Sequence, residues 1–110
     1  MKIPLKLSPQ QLGALVHSFN AIGKIPVNTR DVRVARSILD KVIVKLKKKH
    51  IEIDWNQTLF SKKKKTTLTL EYYEAHYLEY FVTIVDNYPM SEYDRNVIRY
   101  IKNDLNQKLA

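Results

Sequence analysis

LTLEYYEAHYLEYFVTIVDNYP, residues 68–89, is the densest apolar run in the chain, and its reading decides the fold. A fainter copy, LKLSPQQLGALVHSFNAIGKIP, occupies residues 5–26. Each begins with a short alternating Leu-x-Leu, continues at helical spacing and ends at a proline. Within the first stretch, Ala75, Leu78, Val82 and Val85 form one apolar seam and Tyr77, Phe81, Ile84 and Tyr88 a second. That leaves only His76, Glu79, Thr83 and Asp86 as a polar stripe. A helix so nearly apolar all round belongs in the middle of a domain.

The offset between the copies is 63 residues, and at that offset residues 2–47 lie on 65–110 without a gap. Eleven of the 46 pairs are identical: Lys2, Leu5, Leu7, Leu15, Pro26, Asp31, Val34, Arg36, Ile38, Lys45 and Leu46 each recur. Chance in a chain of this composition gives about three or four. A period of this length reads as one supersecondary unit used twice, because a single unit cannot bury its own apolar face. The alternative is coincidence between two amphipathic helix pairs; matching caps and prolines in register weigh against it.

Helix boundaries are written in the same grammar twice. Ser8-Pro9-Gln10-Gln11 is a capping box with proline at the first helical position. Leu12, Leu15, Val16, Phe19 and Ile22 continue as one face, and Gly23 with Pro26 marks a left-handed stop. Asn28 and Ser91 stand as caps, with Asp31 and Asp94 at the third helical position. Val34, Ile38, Val42 and Leu46, widened by Ala35, Leu39 and Ile43, form the apolar stripe of the second helix. The spacing predicts helices at about 9–22, 29–49, 71–87 and 92–108, with short strands at 3–7 and 67–70. The expected class is mainly α: an internally duplicated (β)αα(β)αα unit, four-helix bundle-like, whose two strands pair antiparallel about a pseudo-twofold axis. At 110 residues the whole chain, 1–110, is one domain with a basic insert at 48–64. Ile51, Ile53 and Trp55 in that insert alternate like a strand yet also permit further helix.

Composition narrows the function classes. Apolar content of 45% fits a globular fold. Cysteine is absent, which removes disulfides and thiolate metal sites and suits a reducing compartment. The opening MKIPLKLSPQQ lacks the continuous apolar core of a signal peptide, and no run approaches a membrane span, so the cytoplasm is the expected location and no membrane partner is expected. The glycines are only Gly13 and Gly23, and no phosphate loop or nucleophile motif is present. His17, His50 and His76 do not superpose under the repeat. Glu71, Glu74, His76 and Glu79 share one helix, but a di-iron bundle needs Glu-x-x-His on two helices, and here the order is reversed. No catalytic residue, cofactor or metal site is assigned, and an enzyme working in a cleft between the repeats ranks third among the readings.

Charge is the remaining handle. The net charge is +8, with +7 in residues 1–47, +3 in 48–64 and −2 in 65–110. Such asymmetry can attract nucleic acid, an acidic protein or a second copy of the chain. Arg30, Arg33, Lys41, Lys45 and Lys48 line the side of the second helix opposite its apolar stripe. Lys62, Lys63, Lys64 and Lys65 form a run that could attract phosphate, with Trp55, Tyr72 and Tyr73 near enough in sequence to stack on bases. The ordinary reading of such lysines is a solvated surface. Arg36 and Arg99 recur under the offset, either as arginines reaching carboxylates of the other repeat or as a related pair of anion contacts. Asp31 and Asp94 are read as helix-terminus acids rather than a catalytic dyad.

Leu5-Lys6-Leu7-Ser8 and Leu68-Thr69-Leu70, with Glu74-Ala75, resemble small uncharacterised helical proteins of anaerobic gut bacteria. The resemblance implies a helical fold over most of the chain and carries no activity or site residue. The first expectation for function is a non-enzymatic protein-interaction or self-associating structural module. Its rival is a nucleic-acid-binding accessory protein using the basic face of the second helix and residues 62–65.

Overall fold

The computed structural model describes residues 2–24, 29–56 and 65–110. Two six-residue strands, β1 (Lys2–Leu7) and β2 (Thr66–Glu71), pair antiparallel from Lys2↔Glu71 to Leu7↔Thr66, with Leu5↔Leu68 near the middle. Alternation decides which side of this ribbon is dry. Ile3, Leu5, Leu7, Leu68 and Leu70 are buried while Lys2, Pro4, Lys6, Thr67 and Thr69 face out. A two-stranded ribbon is marginal alone, so the helices beneath it supply its stability.

Helix α1 (Pro9–Ser18) starts where its capping box says it should. Ser8 Oγ accepts from the Gln11 amide at 3.1 Å, and Gln11 Oε1 accepts from the Ser8 amide at 2.9 Å. The helix ends four residues earlier than expected and tightens into a 3-10 turn over Phe19–Lys24. No described glycine has a positive φ, so Gly23 continues this turn instead of stopping a helix in the left-handed region. Helix α2 (Arg30–Asn56) is longer than the expected 29–49. Its cap is Thr29, whose Oγ1 accepts from the Val32 amide at 3.2 Å, which puts Asp31 at the second helical position and not the third. The expected cap Asn28 lies outside the described residues. At the far end the helical alternative for 51–55 wins. A strand there would need a partner for its amides, whereas helix satisfies them internally, and Lys49 reaches Glu52 at 3.8 Å.

Helix α3 (Tyr72–Val85) begins at Glu71, whose amide donates to Glu74 Oε1 at 2.8 Å. Helix α4 (Glu92–Leu109) is capped by Ser91, whose Oγ accepts from the Asp94 amide at 3.1 Å, with Asp94 at the third position as expected. The protein is thus mainly helical, with four α-helices and two short antiparallel strands among the described residues.

Helices α1 and α3 each pack on both α2 and α4, so α2 and α4 stand at opposite corners of the bundle. The core runs from the ribbon through Leu15, Val42, Leu46, Leu78, Phe81, Ile98, Ile101 and Leu105, all without solvent exposure. Phe19 and Phe81 meet in its centre with ring centroids 5.4 Å apart. No polar or charged side chain is buried among the described residues. One part of the expected α2 stripe is rotated out. Ala35, Leu39, Val42, Ile43 and Leu46 are buried, but Ile38 is half-buried and Val34 is 48% exposed. The inward face is centred on the line that both α1 and α3 touch, and Val34 instead borders an open cleft against Tyr77 and Tyr80.

Candidate interaction surfaces

The outward side of α2 carries Arg30, Arg33, Lys41 and Lys48, all exposed as expected, interspersed with exposed Ser37 and Val44. Among the described residues none of these four cations forms an ion pair. The other candidate cations are engaged. Lys45 Nζ donates to the Thr69 carbonyl at 2.8 Å and lies 3.4 Å from Glu74 Oε1. Arg36 Nε is 3.5 Å from Asp40 Oδ1, one turn along its own helix. Arg99 Nε donates to Asp86 Oδ1 at 3.2 Å. Arg36 and Arg99 thus each meet a carboxylate of their own half, on different elements. Lys65 is exposed with its Nζ 6.0 Å from the centre of the Tyr100 ring, the outer limit of a cation–π contact. Lys62, Lys63 and Lys64 lie outside the described residues.

The acidic half of the sequence does not become an acidic face. Asp86, with its side chain 15% exposed, gathers Arg99 at 3.2 Å and Arg95 and Lys102 at 3.9 Å each. Arg95 also donates to the carbonyls of Asp86 at 2.7 Å and Tyr88 at 3.1 Å. Those bonds close the C-terminal end of α3, where unpaired carbonyls favour a cation. Asp104 takes Lys108 at 2.9 Å, Glu74 takes Lys45, and Glu71 takes Lys2. The hydrogen bond from Lys2, more than the charge itself, holds the Glu71 carboxyl below its ordinary range. Its counterpart raises the Lys2 ammonium. Four of the seven acids of residues 65–110 are in this way taken by the chain's own cations.

Two of those cations do structural work that sequence reasoning missed. Lys45 and Lys108 are an identical pair under the 63-residue offset. Lys45 reaches the Thr69 carbonyl of β2, and Lys108 reaches the Pro4 carbonyl of β1 at 2.7 Å. Pro4 and Thr69 are partners in the ribbon, so the two lysines seal its opposite outer edges. Unpaired edge carbonyls otherwise invite another strand, and lysine and proline on the edge are the usual protection. Recurrence of a lysine inside a basic chain was the available signal.

Clefts open at the surface of the described residues, and two of them bear on function. One, about 340 Å³, joins the end of α1 to the α3–α4 connection and includes His17, Asn20, Tyr88 and Asp94. The other, about 300 Å³, lies between α2 and α3 and includes Arg30, Val34, His76 and Tyr80. His76 is engaged edge-on with Tyr77, ring centroids 5.1 Å apart. Among the described residues no three His, Cys, Asp or Glu side chains are grouped to hold a metal ion, and no helix is long and apolar enough to cross a membrane.

Helix α4 offers a surface of another kind. Tyr93, Asn96, Tyr100, Asn103 and Gln107 recur at alternating spacings of three and four along its outward side, and all are exposed. The same periodicity that revealed the buried face of this helix marks the stripe, once its uncharged residues are read as a set. Compared with models of known families, with curated proteins and with solved structures, the chain matches none of them.

Proposed function

We propose that the chain is a non-enzymatic protein-interaction module, self-associating in character, built from one (β)αα unit used twice about a pseudo-twofold axis. Several features support the duplication. The 63-residue offset turns the ribbon pair Ile3↔Leu70 into Thr66↔Leu7, which is also a pair, so the register maps onto itself. Both α1 and α3 open with the side chain of the third residue bonded back to the cap amide, and Lys45 and Lys108 each guard the strand contributed by the other half.

The observation that carries the interaction reading is the distribution of tyrosine. All seven tyrosines lie in residues 65–110, and five of them, Tyr72, Tyr73, Tyr80, Tyr93 and Tyr100, are 40–55% exposed. A tyrosine holds a large apolar ring and a polar tip with few rotatable bonds, which is why interfaces are rich in it. A photo-crosslinking residue in place of Tyr73 or Tyr100, with Ser37 and Lys41 as comparison sites, tests the reading. Protein adducts concentrated at the tyrosine sites are expected; adducts no more frequent there than at Ser37 and Lys41 overturn it.

A second reading, nucleic-acid accessory protein, is favoured by one observation: Arg30, Arg33, Lys41 and Lys48 stand exposed on one side of α2 and form no ion pair among the described residues. A gel shift at about 0.15 M salt, where charge alone is screened beyond roughly 8 Å, decides it. Submicromolar binding lost when these four become Gln would put nucleic acid first.

A further inference from the structure

We infer that the outward stripe of α4 seats the same stripe of a second copy, joining two chains across a twofold axis. The inference rests on the protein-interaction reading and names the partner. Two copies of a +8 chain repel over most of their surfaces. Tyr93, Asn96, Tyr100, Asn103 and Gln107 form a stripe of about 21 Å without a charge. The charges beside it are only partly offset within the chain: Asp104 takes Lys108, while Arg95, Arg99 and Lys102 share the single carboxylate of Asp86 and Lys65 Nζ stands 6.0 Å from the centre of the Tyr100 ring.

Position in the bundle strengthens the case. Arg30, Arg33, Lys41 and Lys48, which form no ion pair among the described residues, stand on α2, and α4 occupies the opposite corner, so contact through α4 keeps these two basic faces farthest apart. A twofold contact must also be complementary to itself. Phenol and amide groups meet that condition because each both donates and accepts, so a copy of the stripe offers a partner to every group. Like charges on a stripe would not. Tyrosine with asparagine is also a composition that binding surfaces use, rigid rings giving area and amides adapting the hydrogen bonds. A single helix face is at the small end of interface sizes, so a weak dimer in the micromolar range is expected.

Sedimentation of the full chain over a wide concentration range is the test. A reversible dimer is expected, strengthening as salt rises from about 0.05 to 0.5 M, because no ion pair holds it and salt screens the repulsion between two +8 chains. The pair Asn96→Lys with Asn103→Lys should weaken dimerisation more than tenfold. Ser37→Lys with Val44→Lys adds the same charge to α2 and should leave it within about twofold, since those sites face away. Circular dichroism identifies any variant that fails to fold. A second measurement stands apart from folding energetics. The chain has no cysteine, and Tyr100 is the middle residue of the stripe, so it meets its own copy whichever way the helices run. Tyr100→Cys should therefore oxidise to a covalent dimer far faster than Ser37→Cys. A chain monomeric at about 1 mM, the range of the weakest specific complexes, overturns the inference while leaving a different protein as partner. A dimer that survives the Asn96/Asn103 pair of lysines overturns the α4 seat and keeps self-association through another face.

Discussion

Helices α2 and α4 are alike on the side that faces the core and unlike on the side that faces water. Inward, Ala35, Val42 and Leu46 match Ile98, Leu105 and Leu109 at the 63-residue offset, and all but the half-buried Leu109 are buried. Outward, Arg30, Arg33, Ser37, Asp40 and Val44 stand where α4 has Tyr93, Asn96, Tyr100, Asn103 and Gln107. One helix presents cations and the other presents phenols and amides. Close packing restrains what can change on the inner side, because a misfit of even one methylene is felt there. Exposed positions away from special contacts tolerate change within about 0.5 kcal/mol, so they are where two similar units can acquire different partners.

The inner similarity can be broken by truncation, which carries the largest expected effects. Leu46→Ala and Leu105→Ala should each cost about 2–5 kcal/mol in denaturant melts, growing with the cavity left behind. A cost near zero at either would show that the two inner faces are not equivalent. Leu78→Ala should cost more than Leu15→Ala, although both side chains are fully buried, because α3 packs on both strands as well as on α2 and α4. Melts with Leu15→Ala as the worse variant would contradict a central α3.

A smaller effect sharpens the outer difference. Asp86→Ala strips the carboxylate shared by Arg95, Arg99 and Lys102 and should cost about 1–2 kcal/mol. It should also weaken any association through α4 by making its border more positively charged. Unchanged association in a folded Asp86→Ala chain would separate the stripe from its border. On α2, replacing Arg30, Arg33, Lys41 and Lys48 by Gln should leave stability within about 0.5 kcal/mol while lowering any nucleic-acid affinity and flattening its salt dependence. A large loss of stability there would reveal a structural role for those cations. The run Lys62–Lys65 should behave in the same way when replaced by Gln.

The smallest effect belongs to the exposed Lys2–Glu71 pair at the end of the ribbon. Glu71 titrates below its ordinary 4.5 in the folded chain, so its contribution is present above that value and fades as pH falls through the depressed one. Lys2 titrates above its ordinary 10.5, so its contribution is present below that value and is lost as pH rises through the raised one. The melting difference between the natural chain and Lys2→Met should be slight, confined between those limits and reduced by salt. A difference persisting at strongly acid pH would mean that Lys2 acts through packing and not through its charge.

Much of the fold was legible in the residues. Four helices and two strands follow from apolar spacing and from the caps at Ser8 and Ser91, because local bonding and periodicity decide where a helix starts. Alternation in residues 3–7 and 68–70 already placed Leu5, Leu7, Leu68 and Leu70 on one dry side. The candidate cations of α2 were legible too, since an amphipathic pattern assigns the outward side of a helix. Other features depended on neighbours that no local pattern contains. The continuation of α2 to Asn56 was balanced against a strand and decided by the lack of a pairing partner. Val34 faces water because the packing direction of α1 and α3, and not the width of its apolar stripe, sets the buried arc. Lys45 and Lys108 read as two more surface charges, yet they seal opposite edges of a ribbon whose strands are some 60 residues apart in sequence. The −2 of residues 65–110 is a sum over the chain, while the charge a partner meets depends on which acids have found cations, and distance alone decides that.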